Sequence, residues 1–509
     1  MCIRDSSITG CTNTGNVVNN TEAYGNGGIV GWIRYSGDPA AYPNKSIITV
    51  SGCENRGSVS GGNDAGGIVG TVYNHGVIDD NKNYAPTLSA KTFVAGVVGN
   101  VQFNTTADGI TDEQHVYVTN NYSETALDNM TGGLKAKFVY INDQSKTTVS
   151  GNTPDDGVQV STAEEAVAAI QGGGKVTVAG AIDKIDFTAL NPTAPVELVL
   201  NAKVGEIVLG SSASNPAQTT ITVAKDVDYP TFSVVRGNDI QNLTIIGDPT
   251  SSKACTSGIS IHDGTINQIT TVKNITIKGV RFSGKGINCA FTADPQTTQN
   301  IVIEDCEGID MVEPLFQTSN NGEAKNDSYV VGDITIRNNK ATFSASAANT
   351  VNALYICFTT TGTVLIENNT FINPPKHGIM ADRNACENLI VRGNTFTNPV
   401  EDGVKIDYPV NNVLIENNTI TPTEYGIRVA RFKSDYNPTV TISGNRIDMS
   451  NVKDETFNGI SIAGSEANGQ AKLVIKENVK VGGSVTEWLS INSALVLNDG
   501  SDVATPFNN

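Results

Sequence analysis

No apolar run in this chain is long enough to cross a bilayer as a helix, so no membrane span is expected in it. Its eight cysteines, at 2, 11, 53, 255, 289, 306, 357 and 386, are scattered and form no Cys-x-x-Cys pair. That spacing excludes a dense disulfide framework and argues against zinc, leaving the thiols as small buried hydrophobes. Positive charge is also scarce. Lys and Arg total 34 against 52 Asp and Glu, for a formal net charge of −18. The balance argues against nucleic acid or an anionic membrane as partner. It leaves room for an acidic substrate gathered by a local basic patch or by Ca²⁺. Before the first repeat at Ile8 stands only Met1-Cys-Ile-Arg-Asp5, with no apolar signal core. The chain therefore reads as a fragment, and this opening says nothing about secretion.

Aromatics are few at 6 %, whereas Gly, Asn, Thr, Val and Ile abound, a composition suited to β-structure with many tight turns. One phrase recurs: Asp333-Ile-Thr-Ile-Arg-Asn-Asn339, Val364-Leu-Ile-Glu-Asn-Asn369, Leu389-Ile-Val-Arg-Gly-Asn394, Val413-Leu-Ile-Glu-Asn-Asn418 and Val440-Thr-Ile-Ser-Gly-Asn445. A near-constant interval of this size marks a stacked solenoid. In such a stack, residues one coil apart become neighbours about 4.8 Å apart in a parallel sheet. The repeated Asn serves a turn: it tolerates the left-handed conformation, and stacked amides hydrogen-bond along the axis.

A different repeat fills residues 1–125. Cys11-Thr-Asn-Thr-Gly-Asn-Val17 matches Cys53-Glu-Asn-Arg-Gly-Ser-Val59, each followed by a Gly-Gly-Ile-Val-Gly strand, with Ala95-Gly-Val-Val-Gly99 as a third copy. These motifs resemble the GLUG-type repeats of bacterial surface proteins, which implies a spacer or adhesive stalk. Residues 126–157 read as a polar junction. Ser161-Thr-Ala-Glu164 then opens a helix over about 161–171, with Ser161 and Glu164 as capping box and Ala163, Ala166, Val167 and Ile170 as apolar face. It would cover the open end of the stack.

In a second unit, 158–509, the coils over about 175 to 485 carry repeats of the form Asn-Ile-x-Ile-x-x-Asn-x-Phe, then x-Gly-Ile-x-Ile, which resemble the right-handed parallel β-helix of the pectate-lyase-like superfamily. The resemblance implies an all-β solenoid and leaves activity open, because that superfamily includes lyases, hydrolases, esterases, phage spikes and adhesins.

Function is sought in the second strand of each coil. Aligning Pro314-Leu-Phe, Ala353-Leu-Tyr-Ile, Gly378-Ile-Met-Ala-Asp382, Gly403-Val-Lys-Ile-Asp407 and Gly426-Ile-Arg-Val puts the second and fourth positions inward. Phe316, Tyr355, Met380, Lys405 and Arg428 then share one outward column, with Asp382 and Asp407 in another. Arg383, Arg431 and Lys433 lie just beyond, and His377 precedes its strand. Rings beside paired charges are a way to hold an extended polysaccharide. Two chemistries fit. In a lyase, Lys405 removes the proton beside a uronate carboxylate while Arg428 or Ca²⁺ neutralises it. In a hydrolase, Asp382 and Asp407 are the carboxyl pair. The same residues would serve equally as cross-strand ion pairs. The Asn-Thr-Asp, Gly-Asp-Asp, Gly-His-Gly and Arg-Ile-Lys set of polygalacturonases is missing, as is the Asp-rich calcium cluster of pectate lyases. The expectation is a monomeric, secreted or surface-borne bacterial protein without a resident cofactor. It is an adhesin, spacer or binder of surface glycan, with a polysaccharide lyase or glycoside hydrolase as the alternative.

Overall fold

The computed structural model describes residues 7–19, 21, 24–34, 48–103, 114–141, 143–152, 158–192, 194–210, 216–234, 239–261, 271–290, 297–319, 330–356, 362–382, 387–433, 435–464, 469–497 and 500–508. They form two compact units, one essentially the first 160 residues and the other most of the rest.

In the first unit the sequence copies stack in register. Thr12 and Asn13 pair with Glu54 and Asn55, while Val30, Val69 and Val98 follow one another along a parallel sheet. An amide ladder runs through the copies: Asn13 Nδ2 donates to Asn55 Oδ1 at 2.8 Å, and Asn55 Nδ2 to Asn83 Oδ1 at 3.1 Å. The glycine before each Ile-Val has a steric cause. A Cβ on Gly28 would meet the Asn55 amide at 2.3 Å, and one on Gly67 the Asn83 amide at the same distance. The expected junction is displaced. Met130–Ala136, Val139–Ile141 and Thr147–Ser150 pair with strands of the preceding coil, so this stack takes in residues that sequence assigned to a linker. Polar composition misled there, because these short strands leave many side chains exposed.

The helix is present as α1 (Ala163–Gly172), with its cap one residue later than expected. Thr162, not Ser161, is the N-cap. Its hydroxyl accepts from Glu165 N at 3.2 Å, and the Glu165 carboxylate takes the N–H groups of Ser161 and Thr162. The doublets Ser161-Thr162 and Glu164-Glu165 satisfy the same pattern in two frames. The frame adopted buries Ala166, Ala169 and Ile170, against the first strand of the second sheet described below. Gly173, at φ +78°, ends the helix.

The second unit is a parallel β-helix. Its coils contribute to three sheets, and every strand pairing among its described residues is parallel. The first sheet runs from Val196–Leu200 to Lys472–Lys476, the second from Ile182–Asp186 to Leu489–Ile491, and the third from Arg281–Ser283 to Phe507–Asn508. Inward Ile, Leu, Val and Phe from successive coils stack through the centre, Phe371 on Phe396 at 5.8 Å among them. The recurrent phrase divides two tasks between its last two residues. The penultimate one is left-handed (Asn338, Asn368, Gly393, Asn417, Gly444). The last forms a buried ladder from Asn339 through Asn369, Asn394, Asn418 and Asn445 to Asn478, with Nδ2–Oδ1 distances of 2.9–3.0 Å. Each ladder Oδ1 also accepts the backbone N–H of the previous Asn, so buried turn groups are satisfied at every coil.

Four of the five described cysteines, Cys53, Cys255, Cys289 and Cys306, are buried and Cys11 is exposed. Burial pushes the thiols of Cys289 and Cys306 up to about 12, so they are inert apolar filler. Cys2, Cys357 and Cys386 lie outside the described residues.

Candidate functional site

The second sheet fixes the column that matters. Tyr355 pairs with Met380, Met380 with Lys405, Lys405 with Arg428 and Arg428 with Ser461. Val404, Ile406, Ile427 and Val429 flank the two cations and point into the core, so strand alternation alone turns Lys405 and Arg428 outward. Beside this column lies an open cleft of about 450 Å³, lined by Glu313, Pro314, Gln317, Tyr355, Lys376, His377, Met380, Asp382 and Lys405 among others. A smaller apolar crevice of about 40 Å³, around Phe187, Leu209 and Leu243, has no titratable group besides Asp239.

Phe316 corrects the sequence alignment. It is fully buried and pairs with Leu354, while Gln317 pairs with Tyr355 and occupies the outward position. Leu315 and Phe316 are both buried, which breaks simple alternation, and a one-residue slip exchanges the faces. Among the described residues, the aromatic wall of the cleft is therefore Tyr355, next to Gln317.

Lys405 and Arg428 are half-buried, and among the described residues neither closes an ion pair. The Arg428 guanidinium lies over the Tyr425 ring at 4.9 Å, and Tyr425 is braced edge-on by Phe457. Arg428 Nε is buried without a hydrogen-bond partner. A chain of net charge −18 thus stacks two cations, about 4.8 Å apart in strand spacing, that close no salt bridge among the described residues.

Carboxyl groups lie behind them. His377, Asp402, Tyr425 and Asn458 precede the glycines that open successive second strands, in a column that Asn352 begins. Asn352 Oδ1 accepts His377 N at 3.4 Å, and His377 Nδ1 accepts Asp402 N at 3.2 Å. His377 and Asp402 are each 1 % exposed. Burial, reinforced by Lys405, Lys376 and Arg428, drives the imidazole down to about 3, so the ring is neutral with its proton on Nε2. That nitrogen stands 3.4 Å from Glu401 Oε2, and Nδ1 stands 3.5 Å from Asp402 Oδ2. These are contacts of a neutral ring, not salt bridges. Both Asp402 oxygens lack a hydrogen-bond donor. Burial raises this carboxyl to about 7 against the pull of Lys405 and Arg428, with Glu424 and Glu401 adding to the rise. Glu424 is raised as well, by burial and then by Glu401.

Asp382 and Asp407 follow Ala381 and Ile406, which are register partners. They do not share one environment. Asp382 lines the cleft, whereas Asp407 is 2 % exposed rather than outward, covered by Arg431, whose Nε lies 3.5 Å from its Oδ2. Burial raises Asp407 too. Arg431 and Lys433 both lie over the Tyr408 ring, at 5.8 and 5.3 Å, and form a separate corner. Tyr408 and Arg431 have φ near +59° and +57°, a conformation that bulky residues rarely take. Arg383 lies outside the described residues.

Sequence reasoning missed Gln317, Glu401, Asp402, Tyr408, Glu424 and Tyr425. Aligning the residue before each strand glycine would have found Asp402, since that column reads Asn, His, Asp, Tyr, Asn. Among the described residues no group of three or more His, Cys, Asp or Glu side chains is placed to hold a metal.

With this geometry in hand, comparison adds the hand of the coil and little about chemistry. Residues 325–504, which contain the whole cleft-side column from Tyr355 to Arg428, match the family described as right handed beta helix region. The second unit is accordingly a right-handed parallel β-helix. No curated protein and no solved structure matches the chain.

Proposed function

We propose that the second unit binds an acidic, extended polysaccharide across Tyr355, Met380, Lys405 and Arg428, as a secreted or cell-surface bacterial protein. The carrying observation is the stacked pair Lys405 and Arg428, half-buried and without carboxylate partners in an otherwise acidic chain. A cation pair that closes no salt bridge among the described residues can turn to carboxylates of a ligand, and such bonds contribute about 1.5–3 kcal/mol each. Tyr355 offers a ring to a sugar face, and Gln317 and Asp382 offer hydroxyl partners in the cleft. The first unit, with no comparable cluster among its described residues, serves in this reading as a spacer of the GLUG-like kind.

A catalytic reading draws on one further observation: a buried carboxyl, Asp402, raised to about 7 close behind the same cations. The reaction would be β-elimination on a uronate. Lys405, as the free amine in this reading, takes the proton beside the carboxylate, the electron pair forms the new carbon–carbon double bond, and the glycosidic oxygen leaves with a proton taken from solvent. Arg428 holds the carboxylate as its charge spreads.

The test is to incubate the full chain with uronate and neutral polysaccharides, with and without Ca²⁺, following retention on immobilised glycan, new ultraviolet absorbance from unsaturated uronate, and new reducing ends. Retention of uronates without turnover supports binding, and absorbance abolished by Lys405→Ala supports the lyase. No retention of any acidic glycan defeats both.

A further inference from the structure

Asp402 has a geometry that a structural carboxylate does not need. It is 1 % exposed, yet neither oxygen receives a hydrogen bond. Ionised buried carboxylates ordinarily take two or more donors, and one without them is costly. Its column neighbours show the cheaper solution, since Asn352 and Asn458 hold equivalent turn positions with neutral amides. Around Asp402 stand His377 on the preceding coil, Glu401 and Lys405 on its own, and Glu424 and Arg428 on the next. The histidine is neutral, so it does not balance a charge on Asp402. Only the fields of Lys405 and Arg428 favour the anion, and those are the two groups that a ligand carboxylate would claim.

We propose that Asp402 is the proton-binding partner of the Lys405–Arg428 site: when the carboxylates of an acidic sugar occupy the two cations, Asp402 takes up a proton from solvent. One solvent proton adds to one Asp402 oxygen, no other bond changes, and release of the sugar returns the proton. This rests on the binding reading above and adds a coupling to it. The sign follows from linkage. Neutralising the cations removes what held the Asp402 proton affinity down, so the bound form carries more protons than the free form, and acidic sugar is held more tightly as pH falls through the neutral range. Ligand carboxylates are already ionised there and supply no proton of their own.

The experiment is calorimetric titration of the full chain with oligogalacturonate near neutral pH, in two buffers of different ionisation enthalpy. The difference between the two heats gives the protons exchanged. Uptake of up to about one proton per bound oligosaccharide is expected, shrinking toward pH 5, where Asp402 is already protonated. Asp402→Asn, a near-isosteric change to the residue type found at 352 and 458, should bind with no uptake. Binding by the native chain without proton uptake overturns the coupling and leaves the binding reading intact. Uptake that persists unchanged in Asp402→Asn assigns the proton elsewhere and also overturns it. Failure of the native chain to bind oligogalacturonate removes the binding reading and the coupling together. Should Asp402→Asn fold poorly, the pH profile of uptake in the native chain decides alone: a flat profile from pH 5 to 8 contradicts the proposal.

Discussion

Lys405 and Arg428 are register partners on adjacent coils, and no described carboxylate closes an ion pair with either. Around Glu304 the same fold does the opposite: Lys278 and Arg337 converge on that carboxylate at 2.9 and 2.6 Å. An ion pair is thus readily made on this scaffold, and its absence at Lys405 is a property of the site.

Replacing Lys405 or Arg428 by Ala should weaken acidic-glycan binding by about ten- to a hundredfold each, the value of one or two charge-assisted hydrogen bonds. Stability should change by about 0.5 kcal/mol or less, because neither cation satisfies a buried acid directly. Glycan affinity electrophoresis beside urea unfolding measures both. Equal loss of stability and binding would assign the pair a structural role.

Phe316 and Gln317 separate fold from function. Phe316→Ala should cost about 3–5 kcal/mol through a core cavity, with ligand affinity per folded molecule unchanged. Gln317→Ala and Tyr355→Ala should leave the urea midpoint nearly unmoved and lower affinity. The reverse pattern would restore the outward placement of Phe316.

The Asn ladder is a third test. Asn394→Ala strips the acceptor from Asn369 N and Nδ2, and the donor from Ile366 O and Asn418 Oδ1. Each buried group left unpaired costs about 1–3 kcal/mol, so a total above about 3 kcal/mol is expected by denaturant unfolding. A loss below about 1 kcal/mol would mean that the ladder is not what holds the turns.

Stability against pH should separate two of the buried titrating groups, Asp402 and His377. Asp402 is raised from an ordinary 3.8 to about 7, so the native state holds a proton that the unfolded chain has lost. Its contribution is full below about pH 4 and fades as pH rises to about 7. Asp402→Asn should therefore gain on the native chain by up to about 1.4 kcal/mol per pH unit across that window, then level off. His377 acts oppositely. It is lowered from 6.5 to about 3, so its contribution is full above 6.5 and is lost as pH falls toward 3. His377→Asn should remove that acid-sensitive part. Parallel curves for native chain and variants would contradict both assignments.

The coil architecture was legible because period, turn Asn and strand alternation all state the same geometry. The column Met380, Lys405, Arg428 followed directly from it. The slip at Phe316 arose where two adjacent core residues hide the alternation. The cap at Thr162 was a choice between two equivalent frames. Asp402 and Glu424 were missed for a different reason. They sit in the turns before the strands, outside the strand alternation, and the significance of Asp402 lies in its burial and its missing hydrogen-bond partners. Asp407 looked outward by strand count, yet Arg431 folds over it from the following coil.

The most direct measurement is the affinity of the full chain for a size-defined oligouronate and for the same oligosaccharide with its carboxylates reduced to alcohols, at low and physiological salt. Binding of the acidic form is expected to weaken with salt, to be lost on reduction, and to be lost in the Lys405→Ala/Arg428→Ala double variant. Equal affinity for the two oligosaccharides, or binding that survives the double variant, would contradict the binding reading.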